Sequence, residues 1–376
     1  MHTTVLAMAG DPDVSSAFAA PRPRIPALVV TPTGRLIVAW DLRADWRDLP
    51  GEFDIAHRVS DDAGRTWGPV RLLRRHESRH GFGDASLLAS TVTGDVFCFH
   101  TGSTGTSFFT AGRGPDAQGL ELWLSTSHDN GGTWSHRDLT RDIKPDDVTG
   151  MFAASGNGLE LRRGSHAGRL LQPFVLRCGE RQYAAVARSD DLGRTWTLGS
   201  RVGPDCDESK VVELADGRIL LHCRSTPRRQ WAISDDGGAT FGEPRPDPAL
   251  VDPGCNGGLA TWHGRTVCTL LDDEESRRRC VLRLATRDSW SAPVLLDDGA
   301  AGYSVAAELP DGKLGVAWES GDYDRILFAR IDPDEVGWTG GTPRLTPLRG
   351  TPGAAKNPVV AGDPDNPPVL ATNVHR

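Results

Sequence analysis

An eight-residue pattern, Ser-x-Asp-x-Gly-x-Thr followed by Trp or Phe, constrains the fold of this chain more than any other sequence feature. Four copies begin at Ser60, Ser127, Ser189 and Ser234, and a decayed fifth copy ends at Trp290. Asp bonds its own backbone in tight turns, Gly tolerates positive φ, and Thr-Trp suits the start of a strand with an apolar anchor. Four such turns at intervals of roughly 45 to 67 residues predict a repeat architecture.

A second repeated shape lies between these turns, and it consists of two apolar strands joined by a turn that contains Gly. Six such hairpins are predicted, at residues 25–30 and 36–40, 86–90 and 96–100, 159–161 and 170–175, 210–214 and 219–223, 258–262 and 266–271, and 304–309 and 314–318. Two hairpins per unit give a four-stranded antiparallel blade, so the sequence predicts an all-β, six-bladed β-propeller. A two-sheet sandwich would explain the strands, but not the fixed order of the two turn types.

The same patterns divide the chain into three segments. Residues 1–20 are expected to form a loosely tied N-terminal arm, residues 21–345 the propeller, and residues 346–376 an extended C-terminal tail. From about Gly337 the chain is rich in Pro, Gly, Asp and Asn, and we expect it to supply a closing strand before the tail.

Composition excludes several classes of function. The net charge is −8 and no Lys/Arg run suggests a nucleic-acid stripe, so no nucleic-acid partner is expected. No apolar stretch approaches the roughly 18 residues of a membrane span. The seven Cys are scattered without a CxxC pair and are predicted to be free thiols. There is no HExxH motif, and neither a metal nor a cofactor is expected. The N-terminus lacks a secretory signal, which favours a cytoplasmic location, and we expect a monomer.

Polar residues flank the predicted inner strands, and in a propeller such positions converge on one axis. Those residues are Arg24, Asp84, Glu208, Asn256 and Tyr303 before the first strands, and Arg43, Arg224, Glu319 and the charged run 272–279 after the second strands. A pocket lined by Arg, Asp, Glu and Tyr suits a small polar anion better than an apolar ligand.

Several of these residues lie in longer motifs. The motifs are Arg24-Ile25-Pro26-Ala27-Leu28, Gly83-Asp84-Ala85-Ser86, Phe152-Ala153-Ala154-Ser155-Gly156, Asp207-Glu208-Ser209-Lys210, Leu221-His222-Cys223-Arg224 and Tyr303-Ser304. Together with the four turns, they make the chain resemble the bacterial exo-sialidases (neuraminidases) with Asp-box, or BNR, repeats, from about residue 24 to about residue 330. The resemblance implies a retaining glycosidase that releases terminal α-ketosidic sialic (nonulosonic) acid from sialylated oligosaccharides or glycoconjugates through a covalent tyrosyl intermediate.

The resemblance also implies that three arginines hold the carboxylate of the sugar. They are Arg24, Arg224 and Arg277, and either Arg278 or Arg279 could take the place of Arg277. A guanidinium group presents forked donors that match a carboxylate and keeps its charge at any working pH.

Tyr303 is the implied nucleophile and Glu208 its base. The anomeric carbon of a sialic acid already carries a carboxylate, so an anionic nucleophile would be repelled, whereas a phenol stays neutral until a base takes its proton. Asp48 is the implied general acid, with Asp45 as its competitor. We expect the loop around Asp48 to shield it and raise its pKa.

The remaining polar residues have less direct roles. Arg43 and Asp84 are expected to contact the hydroxyls or the acyl-amino group of the sugar. The aspartates of the repeated turns are expected to be structural, because those turns lie at the opposite end of the blades.

Two rival functions remain. One is a glycosidase of the same fold that acts on a related nonulosonic acid. The other is a binding propeller without catalysis, which the joint presence of an acid, a base and a nucleophile disfavours.

Overall fold

The computed structural model describes residues 2–11, 18 and 20–338 of the chain. This part is almost entirely β-structure, with one α-helical turn, α1 (Thr140–Ile143), and two 3-10 turns at Gly164–His166 and Pro333–Val336. Within it, no helix has the length and apolar character needed to cross a membrane.

The strands follow one another along the whole described chain. In order they are β1 (His2–Met8), β2 (Arg22–Val30), β3 (Leu36–Arg43), β4 (Phe53–Ser60), β5 (Arg71–Arg74), β6 (Gly81–Ala89), β7 (Val96–Ser103), β8 (Glu121–Ser127), β9 (Ser135–Asp138), β10 (Met151–Ala153), β11 (Gly156–Asn157), β12 (Leu159–Glu160), β13 (Leu170–Cys178), β14 (Arg181–Ser189), β15 (Thr197–Leu198), β16 (Ser209–Glu213), β17 (Ile219–Cys223), β18 (Arg228–Ser234), β19 (Arg245–Val251), β20 (Gly258–Trp262), β21 (Arg265–Leu271), β22 (Arg278–Leu284), β23 (Val294–Glu308), β24 (Leu314–Ser320) and β25 (Arg325–Ile331).

These strands form sheets in a propeller-like arrangement, and their pairs are antiparallel except for the short parallel pair of β11 with β6. Two sheets are simple four-stranded meanders, β2-β3-β4-β5 and β16-β17-β18-β19. Two more contain the meander β6-β7-β8-β9 and the series β13-β14-β15, each extended by short strands from residues 151–160. The all-β prediction and its four-stranded antiparallel units are confirmed.

A seven-stranded sheet joins the last two units. Its order is β20-β21-β22-β23-β24-β25-β1, and the 15-residue strand β23 pairs with β22 through its first half and with β24 through its second half. By hydrogen bonding, the described residues therefore form five sheets, of which this one contains two four-stranded units that share β23. The blade count of six stays a prediction.

All six predicted inner hairpins are present. They are the antiparallel pairs β2/β3, β6/β7, β12/β13, β16/β17, β20/β21 and β23/β24. Their turns are short and local, so apolar patterning and a glycine were sufficient to identify them.

The expected loose arm is wrong for His2–Met8. These residues form β1, which pairs antiparallel with β25 and buries Leu6 and Ala7. The strand covers what would otherwise be an open sheet edge, and an unpaired edge is unfavourable. The closing strand and tail expected after Gly337 fall on residues 339–376, outside the described residues, and the domain boundaries stay predictions.

The repeated turns are structural, as predicted. Each begins at the last residue of a third strand, and in all four the Ser Oγ accepts a hydrogen bond from the backbone N–H of the fifth-position glycine at 2.8 Å. In the second copy, Asp129 accepts from the backbone N–H and the hydroxyl of Thr133, both at 2.8 Å. Hydrogen bonds, foremost the one from the Thr133 backbone, lower the pKa of Asp129 to about 2. These aspartates are fully engaged in holding their turns.

The core lies between neighbouring sheets rather than within any one of them. Its largest fully buried side chains include Trp40, Trp262 and Trp318, each on an inner hairpin. All seven Cys are free, as predicted, and all except the partly exposed Cys178 are buried.

Candidate active site

A cleft of about 780 Å³ opens where the first strands of the units begin and the second strands end. It collects residues from remote parts of the chain. Seven of the eight site residues predicted from the sequence line it, namely Arg24, Asp48, Asp84, Glu208, Arg224, Arg277 and Tyr303. The eighth, Arg43, lies one layer behind the wall.

Three β-bulges aim side chains at this cleft. The pairing register shifts between Arg24 and Ala27 in β2, between Gly83 and Ser86 in β6, and between Ala301 and Ser304 in β23. Bulges re-aim side chains and occur often beside active sites. Arg24, Asp84 and Tyr303 each lie at one of them.

The first two bulges contain backbone strain. Ile25 and Asp84 both have φ of +60°, in the left-handed region. Asp tolerates this region, but a β-branched residue such as Ile adopts it only where the surroundings impose it. Here the N–H of Ile25 donates to the buried Glu319 carboxylate at 2.7 Å, which stabilises the strained bulge.

Glu319 links two of the predicted site residues. Its Oε1 accepts from Arg24 Nε at 2.7 Å, and its Oε2 accepts from the backbone N–H of Tyr303 at 2.8 Å. No described residue takes a hydrogen bond from the two terminal nitrogens of Arg24. They are therefore available to a ligand in the cleft.

Arg224 joins the implied base to the implied nucleophile. Its Nη1 donates to Glu208 Oε2 at 2.8 Å and to the Tyr303 hydroxyl at 3.0 Å. Its Nε lies 3.4 Å from Asp207 Oδ2.

Of the three consecutive candidates for the third arginine, Arg277 is the one that lines the cleft. Its guanidinium donates to the Gly254 carbonyl at 2.6 Å and to the Tyr323 hydroxyl at 3.2 Å, and it lies 5.8 Å from the Tyr303 ring centroid. Arg278 and Arg279 instead face Asp273 and Asp298 on the exposed side of the sheet.

Tyr303 is buried among charged groups. Burial, together with the neighbouring Glu208 carboxylate, raises the pKa of Tyr303 well above its usual value of 10, although Arg224 and Arg277 act in the opposite direction. The phenol is therefore neutral at physiological pH, as a nucleophile that must not repel an anionic substrate should be.

Glu208 is held at both oxygens. Its Oε1 accepts from Ser155 Oγ at 2.9 Å and from Asn256 Nδ2 at 3.1 Å, while Arg224 occupies its Oε2. The Asn256 amide is in turn oriented by the buried Lys210, whose Nζ donates to Asn256 Oδ1 at 2.7 Å. Burial lowers the pKa of Lys210 to about 7. In its protonated form the lysine can only donate, and it then turns the amide N–H groups of Asn256 toward Glu208.

Asp48 differs from its expected electrostatic state. The sequence predicts a raised pKa, but the pKa of Asp48 is lowered, since the guanidinium groups of Arg43, Arg24 and Arg277 outweigh desolvation. Its side chain is 83% exposed, yet it lies in the cleft, where protein walls displace part of the bulk water. The controlling contact is a 2.7 Å hydrogen bond from Arg43 Nη1 to Asp48 Oδ1.

Arg43 has its donors taken by protein atoms. Its side chain is 1% exposed, and besides Asp48 it donates to Asp41 Oδ2 at 2.8 Å and to the Arg47 carbonyl at 3.1 Å. The structure does not bring it to the cleft surface, because the buried Asp41 carboxylate holds it behind Asp48. A direct contact between Arg43 and the sugar stays a prediction.

Asp84 lines the cleft beside this pair. Its backbone N–H donates to Asp41 Oδ1 at 3.0 Å. Burial raises the pKa of Asp41 to about 6, and burial together with the Asp41 carboxylate raises the pKa of Asp84 well above its usual value. A carboxyl group in this state can donate a hydrogen bond to a sugar oxygen.

Sequence reasoning missed the supporting roles of several buried residues. The sequence placed Glu319 and Asn256 near the propeller axis, but it did not reveal the residues with which they form hydrogen bonds. The available signal for Asp41 was its position two residues from Arg43 on β3, and therefore on the same face of that strand. The signal for Lys210 was its position two residues after Glu208, at the start of β16.

One side of the cleft is apolar. Trp46, Phe108, Phe109, Leu120 and Phe152 line it together with Gln182. Phe108 packs edge-on against Phe152 with ring centroids 5.0 Å apart. Trp46 and Phe109 are more than half exposed.

Comparisons with known proteins agree with this geometry. The family model of the BNR repeat-like domain matches residues 34–316. The chain is 38% identical to a sialidase of Micromonospora viridifaciens over 346 residues, which cover 85% of this chain and 52% of that relative. It is 26% identical to a sialidase of Bacteroides fragilis, with coverage of 83% and 61%, and 26% identical to sialidase-3 of Mus musculus, with coverage of 83% and 91%. The chain thus spans about half the length of the Micromonospora relative.

Solved structures confirm the β-propeller fold class. The Hadza microbial sialidase Hz136 superposes with a TM-score of 0.76 at 24% identity, covering 83% of this chain and 66% of that one. The intramolecular trans-sialidase from Ruminococcus gnavus gives 0.78 at 18% identity, with coverage of 88% and 98%. Since the family model covers most of the chain, the chain belongs to the family of the BNR repeat-like domain, and the curated relatives that it resembles are sialidases.

Proposed function

We propose that this chain is a retaining exo-sialidase that hydrolyses terminal α-ketosidically linked sialic acids from glycoconjugates through a covalent bond to Tyr303. The observation that carries the proposal is the convergence of three guanidinium groups on a buried tyrosine whose hydroxyl shares a donor with a carboxylate. Arg224 Nη1 is that shared donor, bonded to both Tyr303 and Glu208.

The three arginines fix the orientation of the substrate. Arg24 offers its terminal nitrogens, and Arg224 and Arg277 flank the Tyr303 ring and hydroxyl. A sugar carboxylate bound between them brings the attached anomeric carbon toward the Tyr303 oxygen. Only an α-keto acid sugar has a carboxylate on that carbon, so the cleft favours sialic acids over neutral hexoses.

In the first step, the Tyr303 oxygen attacks the anomeric carbon while Glu208 takes the phenolic proton. The bond to the leaving oxygen breaks, and Asp48 supplies its proton. In the second step, Asp48 takes a proton from water, the water oxygen attacks the anomeric carbon, and Tyr303 leaves and regains its proton from Glu208. Two inversions give net retention.

The lowered pKa of Asp48 in the free protein is compatible with these two steps if the bound substrate raises that pKa. Arg24 and Arg277 are two of the three arginines that keep Asp48 ionised in the free protein. A substrate carboxylate bound to them offsets their positive charge, which raises the pKa of Asp48 and favours the protonated acid only when a substrate is present.

A related nonulosonic acid remains the second candidate substrate. The apolar wall formed by Phe108, Phe152 and Trp46 suits the methyl group of an N-acyl substituent, and this favours N-acylated acids over deaminated ones. A purely binding propeller would not need Asp48 at the cleft. A monomeric state and a cytoplasmic location remain predictions.

Incubation with 3′-sialyllactose tests the proposal. The wild-type chain is expected to release sialic acid, with the α-anomer appearing first by NMR, and Tyr303→Phe is expected to lose at least roughly a thousandfold in kcat. Tyr183→Phe, outside the cleft, is the matched control. Initial release of the β-anomer would contradict retention, and an unimpaired Tyr303→Phe variant would contradict the mechanism.

A further inference from the structure

Each repeated turn packs against the neighbouring blade. It thereby fills the gap between the two blades, which we call the seam. The fifth-position glycine of each turn packs on the preceding unit, so that an added Cβ would lie 2.7 Å from Ile37 at Gly131, 2.5 Å from Phe97 at Gly193 and 3.1 Å from Leu171 at Gly238. In these three copies the partner is the second residue of a second strand, whereas Gly64 of the first copy packs on Phe328 of β25. Glycine suits these positions because φ lies between +82° and +86° and because an added Cβ would crowd the partner side chain.

The fifth unit lacks this seal. Its decayed copy closes as a short loop in which the Thr286 N–H donates to the Ser289 carbonyl at 2.8 Å, without the glycine. The residue that a complete turn would cover is Leu220, the second residue of β17. A cavity of about 220 Å³ lies between that strand and the decayed turn. Its lining shares no residue with that of the catalytic cleft.

The cavity walls are mostly apolar and aromatic. Leu214, Leu220 and Ile233 come from the fourth unit, and the indoles of Trp231 and Trp290 come from the two sides of the seam. Flat aromatic walls in a narrow cavity favour a planar ring.

One buried polar group in the lining has no partner. His222 is 1% exposed, its Nδ1 accepts from Arg229 Nε at 3.3 Å, and its Nε2 has no hydrogen-bond partner. An acceptor at Nδ1 places the proton on Nε2, so the unpaired atom is an N–H donor. Burial lowers the pKa of His222 well below 6.5, so the ring is neutral. Buried donors are usually paired. Nε2 exposes less than 1 Å², so a ligand acceptor would satisfy it once a small shift of the cavity wall opens this atom.

Charged groups of both signs line the cavity, including the exposed Arg287 and Asp288 of the decayed turn. The buried Asp247, whose carboxylate already accepts from Trp290 Nε1 at 2.8 Å, would repel an anion. Arg218, at the rim, is engaged by Asp216 at 2.9 Å. A cation would leave the His222 donor unsatisfied. An uncharged molecule with an acceptor satisfies the His222 donor without facing the buried Asp247 carboxylate as a like charge.

We propose that this inter-blade cavity is a binding site for a small, uncharged aromatic molecule that carries one hydrogen-bond acceptor. The ring lies between Trp231 and Trp290, and the acceptor receives the His222 Nε2 proton. Loss of the glycine seal in one unit thereby creates a second site, at the end of the blades opposite the catalytic cleft.

Titration of the full chain with three probes tests this site, with the Trp indole N–H signals followed by NMR. Acetophenone is expected to shift the Trp231 and Trp290 signals saturably, ethylbenzene to bind roughly tenfold more weakly for want of one hydrogen bond, and benzoate not to bind. His222→Phe should make acetophenone and ethylbenzene bind equally, and Leu220→Trp should abolish binding of both. Leu295→Trp, an exposed position outside the cavity, should bind like wild type.

The proposal is overturned if the wild-type chain shows no saturable shift at these indoles, or if Leu220→Trp binds as tightly as wild type. If ethylbenzene bound as tightly as acetophenone, the proposed hydrogen bond from His222 to the ligand would be excluded. If Leu220→Trp does not fold, the comparison of the two probes on wild type and His222→Phe decides the question. None of these measurements requires sialidase activity.

Discussion

The arginines at the cleft form two groups, which differ in their hydrogen bonds. Arg24 and Arg277 keep guanidinium surface toward the cleft, whereas Arg43 is saturated by Asp41, Asp48 and a carbonyl. Arg24 and Arg277 are therefore suited to binding a substrate, and Arg43 is suited to controlling the proposed general acid, Asp48. Both groups of arginines lie near the strand ends that border the cleft, so sequence position does not distinguish them. Only their side-chain contacts do.

Removal of the general acid should depend on the leaving group. Asp48→Ala is expected to lose roughly a hundredfold or more in kcat on 3′-sialyllactose, but far less on an aryl sialoside, because a phenolate leaves without a proton. Steady-state kinetics on both substrates checks this. Asp45→Ala, on the same exposed loop, should stay near wild type on both, and equal losses of Asp48→Ala on both would contradict the assignment.

The same residue predicts a pH dependence. A lowered pKa leaves Asp48 mostly ionised in the free protein at pH 7, and the protonated fraction grows as the pH falls. We expect kcat/KM on sialyllactose to rise from pH 7 to pH 5 in wild type, with the rise absent in Asp48→Ala. A flat wild-type profile over this range would contradict it.

Lys210 should act on catalysis through Asn256 and Glu208 without touching substrate. Lys210→Met is expected to lower kcat about tenfold with KM nearly unchanged, because a loosened Asn256 amide no longer holds the base in place. Lys144→Met, at a buried lysine outside the cleft, is the matched control. A Lys210→Met variant that folds normally and keeps the wild-type kcat would exclude this positioning role.

Among the elements, the bulges and the repeated turns have different functions at the two ends of the blades. Bulges in β2, β6 and β23 aim site residues inward at one end, and the turns seal the seams at the other. The turns are readable from sequence because their geometry depends on residues within eight positions. The bulges are not, because Ile25 is held at positive φ by Glu319, a residue from the last unit.

A pair of glycine substitutions isolates the sealing contact. Gly193 and Gly217 both have φ of +86°, but an added Cβ lies 2.5 Å from Phe97 at the first and meets nothing within 4 Å at the second. Gly217→Ala is expected to lower the free energy of unfolding by about 1 kcal/mol from backbone strain, and Gly193→Ala by a further 1–3 kcal/mol or so from overpacking. Urea unfolding measures both. Equal effects would show that the seal contributes nothing.

At the scale of the molecule, the sequence predicted those features that depend on residues close together in the chain. The hairpins, the repeated turns and the convergence of axial residues follow from short-range patterns and ring closure. The pairing of β1 with β25 does not, because it joins the two ends of the described chain. The sign of the Asp48 pKa shift was missed for a similar reason, since it depends on charges from several units.

Closure by β1 should contribute to global stability. Leu6 is 1% exposed and Val5 is 48% exposed on the same strand. Leu6→Ala is expected to destabilise the protein by about 2 kcal/mol or more in urea unfolding, and Val5→Ala by much less, because only the former leaves a cavity in the core. Similar values for the two variants would mean that β1 does not close the fold in solution.

The most direct measurement of the proposed chemistry is the site of covalent attachment. In 2,3-difluorosialic acid the fluoride at C2 leaves as the adduct forms, the fluorine at C3 slows breakdown of the glycosyl-enzyme intermediate, and peptide mass spectrometry then locates the adduct. Catalysis through Tyr303 predicts one adduct per chain, on the peptide that contains Tyr303, and none in Tyr303→Phe. An adduct on Glu208 or Asp48, or turnover by wild type without any adduct, would contradict it.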